Sequence, residues 1–117
     1  MDLQLSARAG RACTVVRLGG QLDMETGPQL DDFLEQVTAG GGTRVVLDLS
    51  GVSFLDSSGL GLLVEWFKEL QTRDGRLCVA AVQELVAYVL RVSAVDQVVE
   101  VYDSVEAAEA AMPQEVI

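Results

Sequence analysis

The chain contains no histidine. That absence removes the Ser-His-Asp hydrolases, the Cys-His proteases and every His-ligated zinc site at once. Cysteine is almost as scarce, with only Cys13 and Cys78 present. Each sits in an apolar, strand-like run, at a separation that matches no metal motif and suits buried, reduced thiols in a reducing compartment. Basic residues are few, eight Lys and Arg against eighteen Asp and Glu, for a formal net charge of −10. They are scattered singly with no basic stripe, so phosphate backbones and anionic lipid surfaces repel the chain on average, and nucleic acid is not an expected partner. A basic surface on another protein suits it better, although an acidic excess also serves solubility. No stretch reaches the apolar length needed to span a bilayer, and the opening MDLQLSARAG has neither the basic start nor the apolar core of a signal peptide. The expectation is a cytoplasmic protein with no membrane insertion.

What is present describes one globular domain: 117 residues, half of them hydrophobic and 22% charged. LQL and CTVVRL read as two strands of a hairpin joined through ARAGRA, with Gly10 in the turn. In TGPQLDDFLEQVTAGGG, Leu30, Phe33, Leu34 and Val37 form the stripe of an amphipathic helix. Thr26 and Gln29 are spaced as a capping box, Pro28 suits the first turn, and the glycines at 40–42 end the helix. RVVLDLS, 44–50, is the nearly continuous apolar run of a central strand covered on both faces. A linker GVSFLDSSG follows, then a helix over 58–72 with Leu60, Leu63, Val64, Phe67 and Leu70 on one side. Asp74 and Gly75 turn the chain into the strand RLCVAAV, which makes 44–82 a strand-helix-strand crossover and the sheet at least partly parallel. A helix over ELVAYVLRV, a short strand VVEVY and a last helix opened by Asp103 or Ser104, with Glu106 completing a box, finish the α/β pattern. Residues 113–117 read as a flexible tail.

FLDSSGLG, 54–61, is the stretch that invites a functional reading. It stands at the end of a strand and the start of a helix, where α/β sheets place ligands and where unpaired N–H groups and the helix dipole favour an anion. Ordinary capping by Asp56 or Ser57 accounts for part of it. Two adjacent hydroxyls exceed what a cap needs, and Gly59 and Gly61 each weaken a helix by about 1 kcal/mol relative to alanine. Either the glycines allow tight packing of helix on sheet, or they leave Ser57 open to close approach. The segment lacks the lysine of a P-loop, and GLG is not a dinucleotide fingerprint. Asp23, Asp48 and Asp56 are either three convergent carboxylates able to hold a divalent ion or separate solvated loop charges.

The run VVLDLSGVSFLDSSGLGLL resembles the signature of the STAS-domain anti-sigma factor antagonists of bacteria. GGQLDMET resembles that family's GxLD segment, and VSAVDQVVEVYDSVEAAEAA its carboxyl-terminal segment, so the resemblance spans roughly residues 4–111 and the domain is expected to occupy 1–112. It implies a mixed sheet of four or five strands packed with about four helices, with no catalytic residue and no cofactor or metal of its own. The implied partner is an anti-sigma factor of the serine-kinase type, bound by the unphosphorylated protein so that a sigma factor is released. Ser57 matches the phosphorylated position, to be restored by a phosphatase, and Ser58 its neighbour; which serine takes the phosphate stays open. Asp23 and Asp56 match positions used around that site, and Gly59 and Leu62 belong to the same docking surface. Gln21 stands where a charged residue is common. Glu65 extends that surface, and Trp66 belongs either to it or to the core. The alternative within the same fold is a STAS subunit of a transport or signalling assembly that is never phosphorylated.

Overall fold

The computed structural model describes residues 2–113. Residues 114–117, most of the expected flexible tail, lie outside the described residues. The chain runs β1 (Gln4–Gly10), β2 (Cys13–Leu22), α1 (Gly27–Ala39), β3 (Arg44–Leu55), α2 (Ser57–Thr72), β4 (Arg76–Ala80), α3 (Glu84–Val92), a 3-10 turn (Val95–Gln97), β5 (Val101–Tyr102) and α4 (Val105–Ala111). The strands form one mixed sheet in the order β1-β2-β3-β4-β5. β1 pairs antiparallel with β2, and every other pairing is parallel.

The central position of β3 follows from its alternation. Val45, Leu47 and Leu49 point to one face and Val46 to the other, and all four are fully buried. On the first face they meet Leu30 and Leu34 of α1, Leu63 and Leu70 of α2, and Val86 and Leu90 of α3. Each of those side chains contributes about 1.5–3 kcal/mol by leaving water. On the second face Val46 joins Val15, Cys78, Ala80, Ala108 of α4 and Met112, which follows that helix. The sheet is thus covered on both sides, as the unbroken apolar run requires.

Several local expectations are corrected. The hairpin turns at Arg11 and Ala12, with Gly10 paired to Cys13, and Ala12 takes the positive φ of 59°. GVSFL is not a linker but the last part of β3, because β2 also runs on and pairs Gly19 with Gly51 and Leu22 with Leu55 across two register shifts. Thr26 does not form a capping box: its hydroxyl donates to the Gln21 carbonyl at 2.7 Å, while the Gln29 side chain accepts from the Leu3 N–H at 2.8 Å. Only Val101 and Tyr102 of VVEVY pair as a strand. At the last helix Ser104 is the cap, accepting from the Ala107 N–H at 3.1 Å, which puts Glu106 one position short of a box.

Candidate functional site

β2 and β3 are parallel neighbours ending together at Leu22 and Leu55, so the loops that follow them emerge side by side. In the first loop, the Asp23 carboxylate accepts from the N–H groups of Glu25 and Thr26, both at 3.0 Å. These bonds, that from the Thr26 backbone foremost, hold the Asp23 carboxyl below its ordinary value. Asp23 therefore shapes its loop, and the shaped loop lifts Met24 out to 78% exposure.

In the second loop Asp56 settles the capping question. Its backbone is extended and its carboxylate accepts from the Gly59 N–H at 3.0 Å, while its own N–H donates to the Leu22 carbonyl at 3.3 Å. With Asp56 as the cap, Ser57 and Ser58 occupy the first two helical positions, exposed, and neither hydroxyl makes a hydrogen bond among the described residues. The two glycines have different reasons. A Cβ on Gly59 would lie 2.6 Å from Leu55 Cδ1 and 2.8 Å from the Leu22 carbonyl oxygen, so glycine there lets the helix sit on the sheet. Around Gly61 there is nothing within 4 Å, and its missing side chain leaves open space.

Between the two loops lies an open groove of about 430 Å³. Asp23, Met24 and Asp31 line one wall, and Ser57, Ser58 and Leu62 the other, with Gly61 and Glu65 beyond. Of the residues singled out from the sequence, Asp23, Ser57, Ser58 and Leu62 share this groove; Asp56 is turned into the cap and Gly59 is buried beneath. Asp48 is not part of it. It lies within β3, eight residues before Asp56, more than about 20 Å away along an extended chain. Among the described residues no group of three or more His, Cys, Asp or Glu could hold a metal ion. Trp66 resolves to the core at 4% exposure. A wider depression of about 800 Å³ opens at the other end of the sheet, walled by the turns that precede β2, β3 and β4. It is remote from the serines.

The STAS domain family matches residues 4–108. An anti-sigma-B factor antagonist of Staphylococcus aureus is 30% identical over 106 residues, covering 91% of this chain and 98% of that protein. The chain belongs to the STAS-domain family of anti-sigma factor antagonists. Among solved structures, an anti-sigma factor antagonist from Mycobacterium paratuberculosis superposes with a TM-score of 0.84 at 27% identity, covering 93% of this chain and 92% of that one. The anti-sigma factor antagonist SpoIIAA in its unphosphorylated form gives 0.73 at 27%, covering 92% and 94%; the Bacillus SpoIIAA in the phosphorylated form gives 0.68 at 25%, covering 94% and 99%.

For a STAS-domain antagonist, the groove has a definite electrostatic character. Asp23, Asp31 and Glu65 line it and, among the described residues, no basic side chain does, so it favours a cationic group from a partner. The amino end of α2 is the local exception, because the N–H groups of Ser57 and Ser58 have no partner there among the described residues and carry the positive end of the helix dipole. What sequence reading missed is the rest of the first wall beyond Asp23: Met24, Pro28 and Asp31 are brought to the serines only by the β2–β3 pairing, a non-local fact. No helix of the described residues is long and apolar enough to cross a membrane.

Proposed function

We propose that this STAS-domain antagonist binds an anti-sigma factor of the serine-kinase type through the Asp23–Ser57 groove, releasing a sigma factor, and that phosphorylation of Ser57 ends the interaction. The single observation that carries the reading is the freedom of Ser57: an exposed hydroxyl at the first position of α2, relieved of capping by Asp56. The similar Bacillus protein SpoIIAA, whose fold this chain shares, occurs in a phosphorylated form.

The chemistry is transfer of the γ-phosphoryl group of ATP, with Mg²⁺, from the partner's kinase site to the Ser57 oxygen, releasing ADP and the hydroxyl proton. A phosphatase hydrolyses the ester and restores the hydroxyl. The antagonist acts throughout as binding module and phosphoryl acceptor, without catalysis of its own. A phosphoserine carries about −1.5 to −2 charge. At the start of α2 that charge meets unpaired N–H groups, so the fold tolerates it. Inside a docked interface it adds bulk, desolvation cost and repulsion from acidic groups, so affinity falls while structure stays.

The test is phosphosite mapping by mass spectrometry after incubation with host lysate, ATP and Mg²⁺, using wild type, Ser57→Ala and Ser58→Ala. Phosphate is expected on Ser57 in wild type and in Ser58→Ala, and lost in Ser57→Ala, with an unchanged far-ultraviolet circular dichroism spectrum. Absence of phosphate from Ser57 under several growth conditions would sink the switch.

A further inference from the structure

α3 carries large apolar side chains on its outer face as well as on its inner one, flanked there by the charged Glu84 and Arg91. Its inner face is accounted for by Val86 and Leu90, fully buried in the main core. Its outer face is not. Leu85 and Tyr88 are each 53% exposed and Val92 is 66% exposed. The Arg91 guanidinium lies 5.5 Å from the centroid of the Tyr88 ring on the same side. Tyrosine and arginine on an apolar patch are the composition of an interface centre. None of these residues lines the serine groove. The last described element, α4, packs against the opposite face of the sheet, so nothing in the described chain reaches over this surface.

The order of residues on α3 says what fits it. At about 100° per residue, Tyr88 takes the middle of the outer face, with Leu85 and Val92 on one flank and Glu84 and Arg91 on the other. Neither Glu84 nor Arg91 makes an ion pair among the described residues. Run a second α3 antiparallel across this face, about a two-fold axis level with Tyr88. Tyr88 then meets its counterpart, Leu85 meets the second Val92, and Glu84 meets the second Arg91, each pair twice. The three pairings share one centre to within half a residue, so apolar and charged positions are satisfied by a single operation, as an isologous contact requires.

We propose that the outer face of α3 docks on a second copy of the same chain as a two-fold, antiparallel helix pair. A nine-residue helix is about 14 Å long, so the contact is small and the dimer weak and concentration-dependent. The net charge of −10 opposes association at low salt, but that repulsion is screened beyond about 8 Å at 0.15 M.

Sedimentation equilibrium at 0.15 M salt, on protein from the micromolar range up to about 1 mM, tests it, since millimolar dissociation constants mark the weak end of measurable association. Wild type is expected to show a reversible monomer–dimer equilibrium. Tyr88→Ser, Glu84→Arg and Arg91→Glu are exposed positions that keep the fold, and each is expected to weaken association about tenfold. An equimolar mixture of Glu84→Arg with Arg91→Glu is expected to recover it, because every charge then faces its opposite. A wild type that stays monomeric at the highest concentration, single variants that associate as well as wild type, or a mixture that fails to recover would each overturn the proposal. A monomeric wild type whose Tyr88→Ser variant loses affinity for the anti-sigma factor would assign the face to that partner instead. None of these variants touches the Ser57 groove, so their results bear on the α3 face and not on the switch.

Discussion

The indole N–H of Trp66 donates to the Asp31 carboxylate at 2.9 Å. This bond ties α2 to α1 beside the serine groove, which Asp31 also lines, and so helps to hold the groove's two walls together. A hydrogen bond to a charged group is worth about 1.5–3 kcal/mol when sheltered, and this one is half-exposed. Asp31→Ala is therefore expected to lower the urea-unfolding free energy by about 1 kcal/mol, and Asp31→Asn, which keeps an acceptor oxygen, by less than half of that. Equal losses would mean that the contact adds little beyond packing.

The two cysteines should differ sharply in reactivity. Burial against Val46, Ala108 and Met112 pushes the Cys78 thiol up to about 12. Cys13, partly exposed at the hairpin, is raised as well, by burial first and by Glu109 second. Because the thiolate is the reactive form, iodoacetamide at pH 8 is expected to label Cys13 slowly in the native protein and Cys78 only after unfolding, as read by peptide mass spectrometry. Labelling of both at one rate would show that α4 opens readily from the sheet.

Much of this architecture was legible because it is local. The stripe through Leu30, Leu34 and Val37 marked α1, and Leu63 and Leu70 marked α2, since a helix repeats its buried face within one segment. Trp66 lies on that same stripe, and it is buried with only its polar N–H turned outward, a common arrangement for this side chain. The failures are non-local. GVSFL contains glycine and serine and reads as a linker, yet it is a strand because β2 extends beside it. The spacing of Thr26 and Gln29 satisfied a capping box, yet the Asp23 carboxylate took the Thr26 N–H first. The serine groove was half legible: Asp23, Ser57, Ser58 and Leu62 were singled out in the sequence, whereas Met24 and Asp31 arrive through strand pairing.

Acid should destabilise the fold over a definite window. Three carboxyls are held below their ordinary values: Asp23 by the Thr26 N–H, Glu109 by the Arg11 N–H, and Glu100 by its hydrogen bond from Arg76. A carboxyl with a lower folded than unfolded pKa adds stability above its unfolded value, and that contribution is lost as pH falls through the folded one. Urea midpoints are expected to stay flat from pH 7 to about pH 5 and to fall below about pH 4. Glu109→Gln should be less stable at pH 7 and show a shallower acid decline. A midpoint that rises on acidification would contradict this assignment.

The two glycines of α2 separate stability from docking. Alanine at Gly59 brings its methyl against a backbone carbonyl that cannot move aside, that of Leu22 at 2.8 Å. Overpacking of this kind costs about 1–3 kcal/mol, so Gly59→Ala is expected to lower the unfolding temperature. Alanine at Gly61 meets nothing within 4 Å, and it should stabilise α2 by up to about 1 kcal/mol through helix propensity. Its methyl, however, protrudes into the groove beside Ser57 and Leu62. Gly61→Ala is therefore expected to melt higher than wild type and yet bind the anti-sigma factor more weakly, which calorimetry with the purified partner measures directly. If its affinity equals that of wild type, the open space at Gly61 is not contact surface, and the proposed docking site loses that part of the groove.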